Sequence, residues 1–146
     1  MDKTFDLDRR WIYKITVLAD RVARLTSAVA LREAGLNLSQ WRVVAALGSR
    51  DGLTASQVVA LTPMDKGIVS RAVRMLADKG LVTRKPSPVD ARQTHLHLTD
   101  GGWMVFRNIV AELDRVGAHG RPELDGEALD AFLAQINALI ESYPKP

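Results

Sequence analysis

The chain has 146 residues, of which 47% are hydrophobic and 25% are charged, as in ordinary globular proteins, so global disorder is excluded. It contains no cysteine, which excludes a disulfide framework, a thiolate metal site and a thiol redox switch. The formal net charge is +3, but residues 64–98 carry seven Lys and Arg against three Asp and Glu, whereas residues 99–146 carry four against eight. A basic middle segment is typical of proteins that bind a polyanion, most simply nucleic acid, although a solvated basic face is the alternative.

The first two predicted elements are helices. The apolar residues of segment 7–34 are spaced alternately four and three apart, which places them in one heptad-like stripe, and Gly35 follows where a helix-ending glycine is expected. A helix of about 25 residues is roughly 38 Å long, so it projects beyond the rest of so small a chain unless something covers it. A short helix follows, beginning at Ser39 and ending at Gly48. The stripe of the first helix consists of Trp11, Ile15, Leu18, Val22, Leu25 and Val29.

Residues 54–80 are predicted to form two helices that are separated by a tight turn. Thr54 and Gln57 have the spacing of a capping box, in which each side chain bonds the backbone of the other residue. Asp65 is a good N-cap for the second helix, which ends at Gly80.

Beyond this helix the pattern changes from the period of a helix to that of a strand. Residues 81–85 and 93–98 have the composition and alternation of two short strands. The loop between them, residues 86–92, contains two prolines together with Ser and Asp, which favour turns. The segment therefore predicts a basic β-hairpin.

Two more helices are predicted in the last third of the sequence. Thr99 can cap one that breaks up near Gly117, and Asp125 can cap the other. The predicted fold is therefore mainly α with one small β-hairpin, an α+β arrangement. The last helix has a wide apolar face made of Phe132, Leu133, Ile136, Leu139 and Ile140.

A helix, a turn, a second helix and a basic hairpin are the components of a winged helix-turn-helix DNA-binding domain. One stripe of the helix after Asp65 is apolar and would pack on the core: Val69, Ala72 or Val73, and Leu76. The opposite stripe contains no acidic residue, and Asp78 appears only at the far end of the helix. This stripe can enter the major groove, where arginine forks onto guanine and lysine neutralises phosphate; a charged solvent face is the alternative. The predicted DNA-facing residues are Ser70, Arg71 and Arg74 near bases and Lys66 on phosphate.

Two other parts of the same module can reach DNA. Ser56 and Gln57 begin the preceding helix, and helix N-termini bind phosphate. Arg92, in the hairpin loop, is predicted to enter the narrow minor groove, where negative potential is enhanced. Asp90 is predicted to orient the Arg92 guanidinium through a charge-assisted bond, with simple turn chemistry as an equally good alternative.

These residues resemble the MarR family of bacterial transcriptional regulators. The most specific part of the resemblance is the Asp-x-Arg of the hairpin with a Leu-Thr-x-x-Gly helix start downstream. The sequence departs from the family pattern at Gly67, where the family usually has a small hydroxyl residue, and Val89 and Ala91 make the hairpin less charged than many. The matching stretches lie within residues 54–102: TASQV at 54–58, MDKGIVSR at 64–71, LADKGLVTR at 76–84, DAR at 90–92 and LHLTDGG at 96–102.

The resemblance implies an obligate homodimer that binds a pseudo-palindromic operator and is released by a small ligand, so the chain is interpreted as a ligand-responsive repressor. Residues 1–146 then form one protomer, with a DNA-binding lobe over 38–100 and dimerisation helices over 7–34 and 101–143. The apolar stripes of the terminal helices favour dimerisation independently, since burying each such side chain contributes about 1.5–3 kcal/mol. Packing of the two helices on each other within one protomer is the alternative.

The resemblance also implies an effector site between the dimer helices and the DNA-binding lobe. The candidate lining residues are Trp11 and Tyr13 on the first helix and Trp41 and Arg42 on the second, and an aromatic or otherwise anionic metabolite is expected. For Trp11 and Trp41, core packing at helical spacing is favoured over ligand contact. Arg42 could pair with an anionic effector or with a nearby carboxylate.

Other classes of function find less support. The sequence lacks a nucleophile elbow, a phosphate loop, a zinc-protease motif and a dinucleotide fingerprint, so neither an enzyme nor a cofactor is expected. His95 and His97 alternate on one strand and would need Glu112, Asp114 or His119 to hold a metal, so solvated histidines are favoured and a metal-responsive regulator is a minor alternative. The main alternative is a sequence-independent architectural DNA-binding protein.

Mixed charges at the start of the sequence and the lack of a long apolar run predict a cytoplasmic protein without membrane contact.

Overall fold

In the described parts of the chain, residues 6–90, 92–117 and 126–143, the computed structural model contains six α-helices, three short β-strands and one 3-10 helix at Leu7–Arg9. The chain divides into two units, residues 1–113 and 114–146, and each is described by itself. The helices are α1 Trp11–Ala34, α2 Leu38–Ser49, α3 Ala55–Leu61, α4 Lys66–Asp78, α5 Asp100–Gly117 and α6 Gly126–Ser142, and the strands are β1 Leu53–Thr54, β2 Val82–Pro86 and β3 Thr94–Leu98.

α1 leaves most of its apolar stripe exposed. Its last member, Val29, is buried in the core, whereas the five members before it are between 39% and 57% exposed. The helix ends as predicted, because Gly35 adopts the left-handed conformation (φ of 61°) that glycine accepts without strain. The stripe is therefore a face of one helix, but it is not part of the core of the protomer. The exposed members are Trp11, Ile15, Leu18, Val22 and Leu25.

The N-cap of α2 is Asn37, and the prediction that Ser39 begins this helix is wrong. The Asn37 side chain accepts a hydrogen bond from the amide of Gln40, and the Gln40 side-chain oxygen accepts one from the amide of Asn37, both at 2.9 Å. Ser39 cannot form such a box, since Arg42 stands three residues later and a guanidinium has no acceptor. α2 then buries Trp41, Val43, Val44 and Leu47 in the core.

The caps predicted for α3 and α4 are confirmed. The Thr54 hydroxyl accepts a hydrogen bond from the Gln57 amide at 3.2 Å, and the Gln57 side-chain oxygen accepts one from the Thr54 amide at 2.8 Å. Asp65 Oδ1 accepts a hydrogen bond from the Ile68 amide at 2.7 Å and so fixes the first turn of α4. Gly80 follows α4 with a φ of 70°, again the left-handed conformation.

The hairpin predicted over residues 81–98 is confirmed and belongs to a three-stranded antiparallel sheet of order β1-β3-β2. Leu53 of β1 pairs with Leu96 of β3, and Val82 of β2 pairs with Leu98 of β3. These four side chains are buried under the helices. The sequence pattern does not predict β1, because two residues cannot show an alternation and the partner strand lies more than 40 residues away.

α5 begins at a cap that the sequence predicts. The Thr99 hydroxyl accepts a hydrogen bond from the Gly102 amide at 3.1 Å and donates one to the Gly80 carbonyl oxygen at 2.7 Å. Farther along the helix, Glu112 forms an ion pair with Arg32 of α1. The pKa of the Arg32 guanidinium is raised above its ordinary value, chiefly by the hydrogen bond to Glu33 and also by the charge of Glu112.

The described part of the second unit contains the end of α5 and the whole of α6. None of the described α6 side chains is buried, and Phe132, Leu133 and Ile140 are between 45% and 65% exposed. The cap predicted at Asp125 lies outside the described residues. None of the described helices, α6 included, combines the length and the apolar character that crossing a lipid bilayer requires.

Candidate nucleic-acid interface

α4 has two faces of opposite character. The core-facing side chains are each at most 3% exposed. They include both Ala72 and Val73, which were predicted as alternatives for this stripe. Of four exposed non-acidic residues, Arg71 and Arg74 lie opposite this stripe, and Lys66 and Ser70 lie on the flank that faces the sheet. The exposed acidic residue of the helix is Asp78, at its last position. Three cations and a hydroxyl make this face rich in hydrogen-bond donors, which suits phosphate oxygens and the guanine edge. The buried residues are Val69, Ala72, Val73 and Leu76, and the exposed residues are Lys66, Ser70, Arg71 and Arg74.

A cleft of about 280 Å³ joins α4 to α3 and to the sheet. Lys66 and Ser70 line it from α4, and Ser56 lines it from the start of α3. Arg84 of β2 and Thr94 of β3 line the side formed by the sheet. Two cations and three hydroxyl groups therefore converge on one opening, which is the donor set that a phosphate group requires.

A second cleft, of about 430 Å³, extends the same surface towards the hairpin loop. It is lined by Thr54, Ser56, Arg92 and Thr94, together with Ala55 and Gln93. Ser56 and Thr94 line both clefts, so the two openings adjoin. The structure thus brings Ser56, Lys66, Ser70 and Arg92, four of the residues predicted to contact DNA, around neighbouring clefts.

Gln57 has part of its hydrogen-bonding capacity committed. Its side-chain oxygen accepts the Thr54 amide hydrogen in the capping box, at 2.8 Å. The amide nitrogen of the side chain keeps its two donor hydrogens. The backbone amide of Gln57 is also used, because it donates to the Thr54 hydroxyl at 3.2 Å. Any contact of Gln57 with a phosphate must therefore come from the side-chain NH2 group.

Arg71 and Arg74 lie outside the two clefts, and Arg71 lines a separate groove of about 200 Å³. The other residues of that groove include Asn37 and Ser39 at the start of α2 and Met75 of α4. The Arg71 Nη1 atom lies 3.7 Å from the position that a Cβ on Gly67 would occupy. The guanidinium is therefore folded back over the first turn of α4.

Asp90 bonds the backbone of the hairpin loop. Its Oδ1 atom accepts a hydrogen bond from the Arg92 amide at 3.0 Å, and the predicted bond to the Arg92 guanidinium is not the contact that forms. Ser87 supports the same turn by accepting hydrogen bonds from the amides of Val89 and Asp90 at 3.2 and 3.3 Å. Turn chemistry, the alternative interpretation of Asp90, accounts for this contact because a short Asp side chain reaches an amide two residues on. Ala91 lies outside the described residues.

His95 and His97 are half-buried and hold the turn before β1, which differs from the solvated state expected for them. The Nδ1 atom of His95 lies 2.6 Å from the Gly52 carbonyl oxygen, and Nδ1 of His97 lies 3.0 Å from Oδ2 of Asp51. A carbonyl oxygen only accepts, so the Nδ1–H group of His95 donates this hydrogen bond. Across the described ranges no three His, Asp or Glu residues are grouped closely enough to hold a metal ion, and His119 lies outside those ranges.

The four residues predicted to line an effector site do not meet within one protomer. Trp41 is 6% exposed and stacks on Phe106 at a ring distance of 6.2 Å, so the core packing predicted for Trp41 is confirmed. Trp11 is 49% exposed, so the core packing predicted for it is wrong in the protomer. Trp11 and Tyr13 begin α1, which is about 36 Å long, whereas Trp41 and Arg42 follow its far end.

The cleft between α3, α4 and the sheet contains two residues that were not predicted to contact DNA, Arg84 and Thr94. Arg84 pairs with Leu96 and stands two positions after the buried Val82, so it lies on the face of the sheet that is turned to the core and the helices. Strand alternation alone could have predicted the position of Arg84, because residues two apart in a strand, such as Val82 and Arg84, lie on the same face of the sheet. Thr94 has no comparable signal, since its place beside Ser56 depends on how the sheet packs against α3.

Comparisons with known proteins agree with this geometry. Residues 34–93 match the sequence model of the MarR family. The chain is 28% identical over 101 residues to the HTH-type transcriptional regulator PetP of Rhodobacter capsulatus, a match that covers 68% of this chain. It spans only 60% of the length of that relative.

Two solved structures share the fold over nearly the whole chain. A MarR family regulator from Silicibacter pomeroyi has a TM-score of 0.79 at 21% identity, and the match covers 100% of this chain and 98% of that one. A MarR family regulator from Listeria monocytogenes, complexed with a 26mer DNA, has a TM-score of 0.81 at 17% identity, and the match covers 92% of this chain and 89% of that one. At these identities the two likenesses establish the fold.

Proposed function

We propose that the chain is a transcriptional regulator of the MarR family, whose sequence model matches residues 34–93, and that it binds duplex DNA as a homodimer and represses transcription until a small molecule releases it. The observation that carries this proposal is the exposed surface of α4, which presents three cations and a hydroxyl outside the buried stripe. In a winged helix-turn-helix domain the second helix lies in the major groove. The Listeria monocytogenes relative, which was crystallised with DNA, supports the same assignment.

Base recognition is assigned to the middle of α4. Arg71 and Arg74 can each fork onto O6 and N7 of a guanine, and the Ser70 hydroxyl can donate to or accept from any base edge. All three side chains are exposed, so each can rearrange into a groove without disturbing the core.

Phosphate contacts are assigned to the cleft between α3, α4 and the sheet. Lys66 and Arg84 supply the positive charge there, and the hydroxyl of Ser56 supplies a hydrogen bond. Gln57 can add a donor through its side-chain NH2 group. These contacts set the register of the domain on the duplex and carry no sequence information of their own.

The hairpin loop is assigned to the minor groove. Arg92 is exposed and begins the return of the loop towards β3, while Asp90 holds its amide in the turn. A narrow minor groove attracts a guanidinium because its negative potential is enhanced. Asp90 is therefore proposed to act through the shape of the loop, and it need not contact DNA.

The exposed apolar faces of α1 and α6 support dimerisation. Five side chains of the α1 stripe, and Phe132, Leu133 and Ile140 of α6, are left in contact with solvent in the protomer. Burying each of them in an interface would contribute about 1.5–3 kcal/mol before the cost of association. A two-fold dimer would also present two copies of α4 to half-sites about 10–10.5 base pairs apart.

An effector site that uses all four predicted lining residues would require two protomers. Trp11 and Tyr13 stand at the start of α1, far from Trp41 and Arg42 in the same chain. Across a dimer interface, the start of one α1 could approach the lobe of the other protomer. A ligand bound there would shift the spacing of the two α4 helices and so release the operator.

Selection of duplexes from a random pool tests DNA binding. The wild-type protein is expected to enrich one pseudo-palindromic sequence, and a footprint on that sequence, called the selected duplex below, should show two protected segments one helical turn apart. Enrichment of no sequence, with uniform protection along the duplex, would instead support a sequence-independent architectural protein.

Sedimentation equilibrium tests the dimer. The wild-type protein is expected to sediment with twice the protomer mass, and Leu18→Glu, at a position 57% exposed in the protomer, should sediment as a single copy while keeping its helical circular dichroism. A wild-type protein that stays monomeric at micromolar concentration would contradict the proposal.

A library of small anionic aromatics, scored by thermal shift and by release of the selected duplex, then tests for an effector.

A further inference from the structure

We propose that Gly67 is a specificity-determining residue, at which the backbone of α4 makes its closest approach to the base edges. The inference rests on the proposed binding of α4 in the major groove. It adds a residue that has no side chain, and that therefore could not be found by looking for hydrogen-bond donors.

Gly67 lies at the outermost point of the first half of α4. At about 100° per residue, the centre of the buried stripe lies about 190° from Gly67 around the helix axis. Arg71 and Arg74 lie about 30° to either side of the outward line. The other residue as close to that line is Asp78, but it stands at the last position of α4. The N-terminal part of a recognition helix is the part that meets base edges, which points to Gly67 and not to Asp78.

Because Gly67 has no side chain, α4 can lie deeper in the major groove. A helix with its side chains is about 10–12 Å across, and the major groove is about 12 Å wide, so little clearance remains. Gly67 is exposed, and its outward side is bare backbone. Close approach of backbone to a ligand is one of the uses of glycine, and here it would let the main chain of α4 touch a thymine methyl or a base edge.

The local geometry ties Gly67 to the neighbouring arginine. A Cβ at residue 67 would lie 3.7 Å from Nη1 of Arg71, which is an ordinary van der Waals distance, and 3.3 Å from Oδ1 of Asp65, which is tight. One nitrogen of the Arg71 guanidinium therefore lies beside Gly67, which stays exposed. Any side chain longer than a methyl would compete with Arg71 for this space and change where it meets the bases.

The backbone conformation does not require a glycine at this position in the folded protein. The backbone of Gly67 does not adopt a positive φ, and glycine lowers the stability of a helix relative to alanine. A Cβ would require Oδ1 of Asp65, which accepts the capping hydrogen bond from the Ile68 amide, to give by a few tenths of an ångström. A purely structural role therefore predicts that Gly67→Ala acts on stability, through the Asp65 cap, and leaves the preference for the selected duplex unaffected.

The test compares Gly67→Ala and Gly67→Ser with the wild-type protein on the selected duplex and on an unrelated duplex. Gly67→Ala is expected to weaken binding to the selected duplex at least tenfold, to change binding to the unrelated duplex less than twofold, and to melt within a few degrees of the wild type. Repeated selection with Gly67→Ser should enrich a different base at one position of each half-site. Gly101→Ala, the same change on α5, is the matched control and should alter none of these values.

Three results would overturn the inference. Gly67→Ala could bind the selected duplex within twofold of the wild type, it could lose selected and unrelated binding equally, or it could fail to fold, which would mark the glycine as structural. Failure of the proposed function is a separate outcome, because it would appear as a wild-type protein that enriches no sequence.

Discussion

Gly102 lies directly against the carbonyl oxygen of Leu81, where the first turn of α5 meets the segment that enters β2. A Cβ on Gly102 would overlap that oxygen and would also lie 3.2 Å from Cβ of Leu98. The same oxygen accepts the Thr99 amide hydrogen at 3.1 Å, so it cannot turn away without breaking a backbone hydrogen bond. This close approach joins the start of α5 to the base of the hairpin.

Gly102→Ala is expected to lower the free energy of unfolding by about 3 kcal/mol or more, because backbone and not a flexible side chain occupies the space. The adjacent Gly101→Ala is the matched control, since its Cβ would lie at an ordinary 3.7 Å from its nearest neighbours. That control should be neutral or stabilising by up to about 1 kcal/mol through helix propensity. Urea denaturation measures both, and equal effects of the two changes would contradict the packing described.

A second close approach joins α2 to α5. Gly48 faces the ring of Phe106 so closely that a Cβ would overlap three ring atoms. That ring is held between Trp41, stacked at 6.2 Å, and Trp103, edge-on at 5.7 Å, so it has little freedom to move aside. Gly48→Ala should therefore destabilise the protein by about 1–3 kcal/mol.

The double variant with Phe106→Leu provides the check. If the clash with the ring causes the loss, Gly48→Ala should cost less when the ring has been removed, which a double-mutant cycle measures. Strictly additive effects would show that Gly48 matters for another reason.

The N-cap of α4 gives a third prediction. Asp65→Ala removes the acceptor of the 2.7 Å hydrogen bond from Ile68 and should cost about 1 kcal/mol in the free energy of unfolding. Asp65→Asn keeps an acceptor but loses the charge at the helix N-terminus, so it should cost about 0.3–1 kcal/mol at most. Thermal or urea denaturation separates them, and a larger loss for Asn than for Ala would contradict the capping role.

The fourth prediction concerns phosphate binding by Lys66. Lys66→Ala should weaken binding to the selected and the unrelated duplex by the same factor, and it should lower the slope of log affinity against log salt by about one. Lys79→Ala, at the other end of α4, is the matched control and should leave the slope unchanged. An effect of Lys66→Ala on the selected duplex alone would move this residue from the phosphates to the bases.

Those parts of the fold that depend on neighbouring residues could be predicted from the sequence. The Thr54–Gln57 box, the Asp65 cap and the two faces of α4 all follow from rules that act over one or two helical turns. The exposed cationic face of the candidate site belongs to this group, because opposite sides of a helix are determined by spacing alone.

The remaining features depend on the meeting of distant segments. β1 forms because β3 offers a free edge, and the histidines of β3 bond to residues 51–52 across more than 40 positions. Arg84 joins Lys66 only after the sheet packs against α4. The hydrogen-bond partner of Asp90 could not be predicted for a different reason. A guanidinium and a backbone amide both lie within reach of its carboxylate, and the sequence alone does not decide between them.

The most direct test of the central claim, that the outward face of α4 reads bases, is the affinity of Arg71→Ala for the selected duplex and for an unrelated one at the same salt concentration. Arg71→Ala is expected to lose about 1–3 kcal/mol of binding free energy on the selected duplex and much less on the unrelated one, so that specificity falls. An unchanged affinity for the selected duplex would contradict the placement of α4 in the major groove.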